Sequence, residues 1–135
     1  FILSGILEKF PRLKVISAEL NCGWLPYFLR RMDERFESRG TRLHGSPFST
    51  KLTMKPSEYF RRQLYATFID DPFGVAHRSE IGVDNLLWSS DFPHSATFWP
   101  HSREKIAKDF QGVSEEHKRK ILCENVAKLY GFDVD

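Results

Sequence analysis

The nine residues 86–94, with the sequence LLWSSDFPH, constrain the fold of this chain more than any other stretch. The apolar start predicts a short buried strand, and Asp91 and His94 give that strand a polar end. Pro93 stops a regular ladder, because proline has no N–H and a fixed φ. Asp91 is therefore predicted where a strand opens into a loop, which is where α/β folds bind ligands and metals. The alternative, which is commoner for a single aspartate, is a turn in which the side chain bonds its own backbone.

Two earlier stretches have the same organisation. An apolar strand is predicted over 13–19 and ends on Glu19, and another over 64–69 is followed by Asp70 and Asp71. The predicted helices lie at 1–10, from Trp24 to Gly40, at 56–62, 74–81, 102–110 with Ser102 as its cap, and 114–130 with Ser114 as its cap. Alternation of this kind predicts the α/β class, with about three parallel strands and flanking helices. The outer strands are as apolar as central strands, which indicates part of a larger barrel.

Composition excludes several classes of function. A chain of 135 residues fits one domain, and its net charge of +2 gives no indication of nucleic acid or of an anionic membrane as partner. No apolar run approaches the roughly 20 residues of a membrane span. Cys22 and Cys123 lack CxxC spacing, which favours reduced thiols in a cytoplasmic protein. Glycine-rich phosphate loops and the Gly-x-Ser-x-Gly elbow are absent from the sequence.

Several segments, taken in order, resemble the amidohydrolase-2 family. That family includes aminocarboxymuconate-semialdehyde decarboxylase and related metal-dependent hydrolases and decarboxylases. The segments are FPRLKV at 10–15, Ala18-Glu19, GWLP at 23–26, KPSEYF at 55–60, WSSDFPH at 88–94 and NVAKLYG at 125–131. The resemblance covers essentially the whole chain. It implies that residues 1–135 form a single C-terminal portion of a TIM (β/α)8 barrel, containing strands six to eight.

The resemblance also implies a metal site to which this chain contributes only part. Asp91 matches the family aspartate that ends strand eight beside the catalytic metal, as a ligand or as a base. The family's remaining ligands are a His-x-His pair on the first strand and a histidine on the fifth, and no two histidines here have that spacing. We therefore expect a divalent metal, zinc first, in a site that is incomplete in this chain. The isolated chain is expected to bind metal poorly and to be inactive.

Three more residues are candidates for the site. Glu19 stands where the decarboxylase members place a histidine, and could be a ligand, a general base, a substrate-orienting group or a salt-bridge partner in the barrel mouth. Because a carboxylate replaces an imidazole, hydrolysis is favoured over carboxy-lyase chemistry. His94 could orient Asp91 or contact substrate, or simply cap a turn. Trp24 could wall the pocket or belong to the core.

The remaining polar residues receive structural predictions. Asn125 is expected to bond backbone near the barrel floor. Four histidines are expected to be solvated: His44, His77, His101 and His117.

Two hypotheses of function follow. In the first, the chain comes from a metal-dependent hydrolase or decarboxylase of the amidohydrolase-2 type that acts on a small carboxylated or cyclic substrate. In the second, it is a catalytically inactive half-barrel that pairs its open strand edges with a second copy or with a missing N-terminal half. Both predict a cytoplasmic protein without a nucleic acid or membrane partner, and homo-oligomers belong mainly to the second.

Overall fold

The computed structural model describes residues 1–39 and 52–134 and contains one three-stranded parallel sheet among them. The strands are β1 (Val15–Ser17), β2 (Leu64–Phe68) and β3 (Leu86–Trp88), in the order β1-β2-β3. In register, Ser17 lies opposite Ala66, and Ala66 lies opposite Leu86. The predicted α/β class, with three parallel strands and flanking helices, is confirmed. His44 and most of the segment between the second and third predicted helices lie outside the described residues.

Eight helices of the described residues flank the sheet, and their bounds follow local sequence signals. Pro72 and Pro56 begin two of them because proline is tolerated in the first turn. In chain order the helices are α1 (Ile6–Lys9), α2 (Leu25–Arg39), α3 (Pro56–Gln63), α4 (Pro72–Ala76), α5 (Arg78–Ile81), α6 (Ser102–Asp109), α7 (Glu115–Arg119) and α8 (Asn125–Tyr130). A 3-10 turn at Val83–Asn85 precedes β3, and a π-helical turn at Lys120–Glu124 joins α7 to α8.

The core lies between one face of the sheet and the helices. Ala66 and Phe68 of β2 are fully buried there, and Phe68 stacks on Phe110 with ring centroids 6.4 Å apart. The alternate residues Tyr65 and Thr67 lie on the other face of the strand and are only half-buried. That second face corresponds to the interior of the barrel that the sequence predicts.

Several predicted strands and helices were too long. The strands stop at Ser17 and Trp88, because Glu19 and Asp91 adopt positive φ values of 62° and 54°, which no strand accommodates. The first helix is only Ile6–Lys9, since Gly5 before it is left-handed with φ 76°. The segment 74–81 forms two short helices that meet at His77, not one helix.

The caps of the last two long helical segments had different outcomes. Ser114 caps α7 as predicted, accepting a hydrogen bond from the His117 amide, and Gly131 ends α8 in a left-handed conformation. The prediction for Ser102 was wrong. His101 is the N-cap of α6, and the buried Ser102 hydroxyl has no partner among the described residues. Within the described residues no helix is long and apolar enough to cross a membrane.

Candidate active site

The ends of the three parallel strands form one edge, which we call the rim: residues 18–24 after β1, 69–74 after β2 and 89–101 after β3. The other end of the sheet, the floor, is held by asparagines. Asn125 donates to Val83 O at 2.7 Å and to Leu86 O at 2.9 Å, which confirms its predicted structural role. Asn85 likewise donates to the backbone carbonyls of Arg61, near the end of α3, and of Leu64, the first residue of β2. The side chains predicted for the site lie at the rim and not among these structural contacts.

Asp91 lies on the rim in an arrangement that leaves its carboxylate largely without protein partners. Its side chain is 16% exposed, and Oδ2 lies 3.1 Å from His94 Nδ1. No backbone N–H of the described residues bonds this carboxylate. The alternative interpretation, an aspartate that caps its own turn through its side chain, is therefore not what the geometry shows. The turn is closed by the backbone, since the His94 amide donates to Asp91 O at 2.8 Å.

His94 is the partner that the predicted orienting role requires. Its side chain is 69% exposed, so one ring face meets solvent while Nδ1 faces Asp91. Nδ1 approaches Asp91 Oδ2 without a hydrogen bond to it and accepts one from the Ala96 amide at 3.5 Å, so the neutral ring carries its proton on Nε2. The pair therefore offers a carboxylate and a solvent-facing imidazole nitrogen at one place on the rim.

Glu19 also reaches the rim, but away from Asp91. Its strand is two positions from β3, which corresponds to about 10 Å across the sheet. The side chain is exposed, and the backbone amide donates to Thr67 Oγ1 at 2.9 Å, which fixes the left-handed turn. No described side chain forms a salt bridge with Glu19. The structure thus places Glu19 and Asp91 on one edge without bringing them together.

Trp24 begins the turn into α2 and stays at the surface. It is 41% exposed, its Nε1 donates to Leu20 O at 3.1 Å, and its ring meets Phe28 edge to face at 5.4 Å. The interpretation of Trp24 as a core residue is wrong. Its role as a pocket wall stays a prediction, because no contact joins it to Asp91 or His94.

Sequence reasoning missed the main organiser of the rim, Asp71. Its carboxylate is only 8% exposed and accepts three backbone hydrogen bonds. They come from Cys22 at 2.7 Å, Gly23 at 2.6 Å and Gly74 at 2.8 Å. Burial acts to raise the pKa of Asp71, but the three N–H donors outweigh it and hold that pKa below its usual value. The signal was in the sequence: an aspartate before proline is a typical helix N-cap.

Asp71 also explains the environment of Cys22. Burial, together with the neighbouring Asp71 charge, raises the pKa of the Cys22 thiol above its usual range. The thiol therefore stays protonated at neutral pH and is no nucleophile. The loop after β1 is thus fixed to the loop after β2 by structural contacts that carry no chemistry of their own.

The other described histidines lie away from this site. His101 is 75% exposed beside Glu104, and His77 is 37% exposed beside Glu80. The prediction of a solvated side chain is wrong for His117, which is half-buried and accepts a hydrogen bond from Arg78 Nε at 3.1 Å.

Comparison with known families gives a direct answer on ancestry. The family model Amidohydro_2, described as amidohydrolase, matches residues 1–132. The chain belongs to the amidohydrolase family. The expected resemblance is thereby confirmed, and with it the fold: three parallel strands and their helices form part of a TIM barrel.

Two curated proteins show how this amidohydrolase chain relates to enzymes of the family. It is 29% identical over 133 residues to gamma-resorcylate decarboxylase of Polaromonas sp., covering 94% of this chain and 37% of that protein. It is 40% identical over 70 residues to 4-sulfomuconolactone hydrolase of Rhizobium radiobacter, covering 46% of this chain and 23% of that one. The chain thus spans well under half the length of the curated relatives it matches.

Solved structures of the family agree with the fold. A 5-carboxyvanillate decarboxylase from Sphingomonas paucimobilis superposes with a TM-score of 0.74 and 28% identity, over 98% of this chain and 38% of that chain. A dihydroxybenzoic acid decarboxylase from Polaromonas sp. superposes with a TM-score of 0.71 and 26% identity, over 96% of this chain and 37% of that chain. The second contains manganese and the inhibitor 2-nitroresorcinol.

The residues of this amidohydrolase chain fit one edge of a metal site. Carboxylate oxygens suit divalent cations, and Asp91 has the ligating capacity that Asp71 lacks. Among residues 1–39 and 52–134, no three His, Cys, Asp or Glu side chains come together in a group that could hold a metal ion. The described residues thus do not form a complete metal site, and Asp91 and Glu19 stay the predicted ligands among them.

Proposed function

We propose that this chain forms part of a divalent-metal-dependent enzyme that decarboxylates a small carboxylated aromatic substrate, with Asp91 as its metal-binding residue. The observation that carries the proposal is the unsatisfied Asp91 carboxylate at the end of β3, paired only with His94. A carboxylate that is mostly buried and lacks backbone donors gains strongly from a bound cation. The three decarboxylase relatives named above, each of which matches nearly the whole of this chain, support the substrate class.

The roles of the individual residues follow from their contacts. His94 Nδ1 lies 3.1 Å from Asp91 Oδ2, and an imidazolium at that distance would orient the carboxylate by its charge. When bound, a divalent ion would supply Lewis-acid polarisation of the substrate carboxylate or of water. The exposed Nε2 of His94 is placed to accept or return a proton. We assign Trp24 to the substrate-facing surface of the loop after β1.

Glu19 is the second acid–base candidate. Decarboxylation leaves a carbon that needs a proton, and a carboxylic acid delivers one near neutral pH when burial raises its pKa. Glu19 is exposed in the described residues, so this role requires cover from parts of the barrel outside them. Asp91 is therefore the first candidate for a role in the reaction, and Glu19 is the second.

Hydrolysis is the alternative within the same site. The substitution of Glu19 for histidine favours it, and the 40% identical hydrolase supports it over 70 residues. Decarboxylation has support over 133 residues, nearly the whole chain, and we rank it first for that reason. Zinc is the metal that we expected from the sequence. Manganese is now an equal candidate, because the structure of one decarboxylase relative contains it.

The first experiment measures the metal content of the purified chain, after dialysis against Zn²⁺ or Mn²⁺, by elemental analysis. Because the described residues supply one candidate ligand only, we expect metal well below one ion per chain in the unchanged chain and a fall to background in Asp91→Asn, which keeps the shape but not the charge. Asp84→Asn is the matched control, since Asp84 is an exposed aspartate that pairs with Lys120 at 3.1 Å. Equal metal in the unchanged chain and in Asp91→Asn would contradict the assignment. Release of CO₂ from gamma-resorcylate, measured with a protein that also contains the rest of the barrel, tests the substrate class.

A second function is supported by the sheet itself. In the described residues β1 and β3 each pair with one neighbour only, although both contain the apolar side chains of central strands. Open parallel edges favour pairing with another chain. An inactive half-barrel that associates with a second copy or with a separate N-terminal half would bury those edges. Sedimentation equilibrium tests self-association: a monomer at micromolar concentration counts against pairing with a second copy.

Location is also part of the proposal. Cys22 is buried and Cys123 is exposed, and both are free thiols. Unpaired cysteines are typical of reducing compartments, which supports a cytoplasmic protein.

A further inference from the structure

Asp91 and His94 lie in a long loop whose internal hydrogen bonds do not attach it to the rest of the protein. Within residues 89–101, Thr97 Oγ1 donates to Ser90 O at 2.6 Å and the Trp99 amide donates to Thr97 Oγ1 at 3.2 Å. These hydrogen bonds fix the conformation of the loop. They do not fix the position of the loop relative to the sheet, which depends on the attachment at each end.

Both ends of the loop are attached to the end of one strand, β2. At the start, the Ser89 amide donates to Phe68 O at 2.9 Å and continues the ladder for one residue. Past the other end, Lys105 Nζ of α6 lies 2.5 Å from Asp70 Oδ1. Phe68 and Asp70 are two residues apart. The loop that contains Asp91 is therefore closed by two anchors at the same point of the rim.

The residues around Lys105 keep its ammonium group charged and in place. Its side chain is only 15% exposed, and Nζ also lies 2.5 Å from Asp109 and 5.1 Å from the ring centroid of Phe98, a residue of the loop itself. Burial acts to lower the pKa of Lys105, but the bonds to Asp109 and Asp70 outweigh it and raise that pKa. The ammonium thus stays charged and connects three elements: β2, α6 and the loop.

We propose that Asp70 is a positioning residue, which holds Lys105 and through it sets the place of the loop that presents Asp91 and His94 to the metal. This inference rests on the proposed function, because it concerns the same site. Asp70 touches neither metal nor substrate in this assignment. Its carboxylate is half exposed, unlike that of Asp109, which is 6% exposed and needs Lys105 for its own charge.

That difference decides which variant tests the proposal. Lys105→Met would leave Asp109 buried without a counter-charge and could unfold α6. Asp70→Asn removes only the link to β2, because the Lys105–Asp109 pair persists and the Asn21 side chain bonds the backbone carbonyl of residue 70, not its carboxylate. Asp70→Glu keeps the charge and serves as the rescue variant. Asp84→Asn is again the exposed aspartate control.

Two measurements on the full chain separate this inference from the proposed function. The first is Mn²⁺-induced broadening of the NMR signals of Asp91 and His94, which reports metal near the carboxylate. The second is hydrogen exchange of the His94 and Trp99 amides, which reports the order of the loop. In Asp70→Asn we expect exchange to rise severalfold and the Mn²⁺ concentration for half-maximal broadening to rise about three- to fivefold, as for loss of one partly exposed ion pair. Asp70→Glu and Asp84→Asn should stay near the unchanged chain.

The outcomes are distinct. If Asp91→Asn is broadened as strongly as the unchanged chain, the metal assignment fails, whatever Asp70→Asn does. If Asp91→Asn loses the broadening while Asp70→Asn retains it at the same Mn²⁺ concentration, the positioning role is overturned, even if loop exchange has risen. A rise in both readouts that Asp70→Glu reverses supports the role.

Discussion

Asp71 and Asp91 follow neighbouring strands of one sheet, yet their carboxylates have opposite surroundings. Asp71 is 8% exposed and accepts hydrogen bonds from three backbone amides on two loops. Asp91 has a side chain that is 16% exposed and meets one imidazole. Both residues are mostly buried, so burial alone does not distinguish a structural acid from a catalytic candidate. The number of backbone N–H groups that bond the carboxylate does distinguish the two.

The comparison has an electrostatic consequence. A carboxylate surrounded by backbone N–H groups has its charge already stabilised, and a cation adds little. A carboxylate without such donors retains lone pairs for a metal or a proton. In the proposed function Asp71 therefore contributes to stability and Asp91 to metal binding, and each variant below is chosen to separate the two.

The largest expected effect is on stability at Asp71. In Asp71→Asn the amide NH₂ replaces one acceptor, so at least one of the three amide donors faces another donor and the charge-assisted bonds weaken. We expect the free energy of unfolding to fall by about 3 kcal/mol. Urea unfolding followed by circular dichroism measures this. A loss below about 1 kcal/mol would mean that Asp71 contributes as little to stability as we expect of Asp91, and the two aspartates would then not differ in this respect.

The same residue predicts a pH dependence. The folded-state pKa of Asp71 is held below its unfolded value, so its contribution is fully present above the unfolded pKa of about 4 and is lost as pH falls through the folded pKa. Unfolding free energies measured from pH 6 down to pH 3 should therefore fall less steeply in Asp71→Asn than in the unchanged chain. Parallel curves would show that other carboxylates account for the acid sensitivity.

Close packing around Asp71 gives a third test. A Cβ on Gly74 would overlap Cys22 Sγ and lie 2.9 Å from Asp71 Cγ, so Gly74→Ala has to displace the junction of the two loops. We expect a loss of about 2 kcal/mol, typical of overpacking. In the double variant Gly74→Ala, Cys22→Ala the sulfur is absent, and part of that loss should return. A double variant whose loss equals the sum of the two single losses would show that Sγ is not the obstacle.

Much of this arrangement could be predicted from the sequence, for identifiable reasons. The strands, their parallel order and the position of Asp91 follow from apolar runs that end in acids and proline, signals that depend on neighbouring residues only. The His94 partner was also within reach, three positions away. What could not be predicted depends on contacts across the chain. Asp71 receives two of its donors from residues about fifty positions earlier, and Lys105 joins a strand end 35 positions away.

The overlong strands have the same cause. Apolar periodicity continued to Glu19 and Asp91, but the backbone there turns left-handed, and the hydroxyl that accepts from the Glu19 amide belongs to Thr67 on another strand. A local pattern indicates which residues are buried. It does not show where a tertiary hydrogen bond bends the chain out of the sheet, and at this rim such a bend ends β1 before Glu19.

The smallest expected effect on stability is at Asp91 itself. Asparagine is among the residues that tolerate a positive φ best, so Asp91→Asn keeps the backbone at φ 54° at little cost, and the only contact that it weakens is to a histidine that is 69% exposed. We expect the free energy of unfolding to change by less than about 0.5 kcal/mol, while metal binding is lost. Urea unfolding and metal analysis of the same sample check both parts. A large loss of stability would mean that Asp91, like Asp71, belongs to the scaffold, and the rim would then lack a free carboxylate on β3.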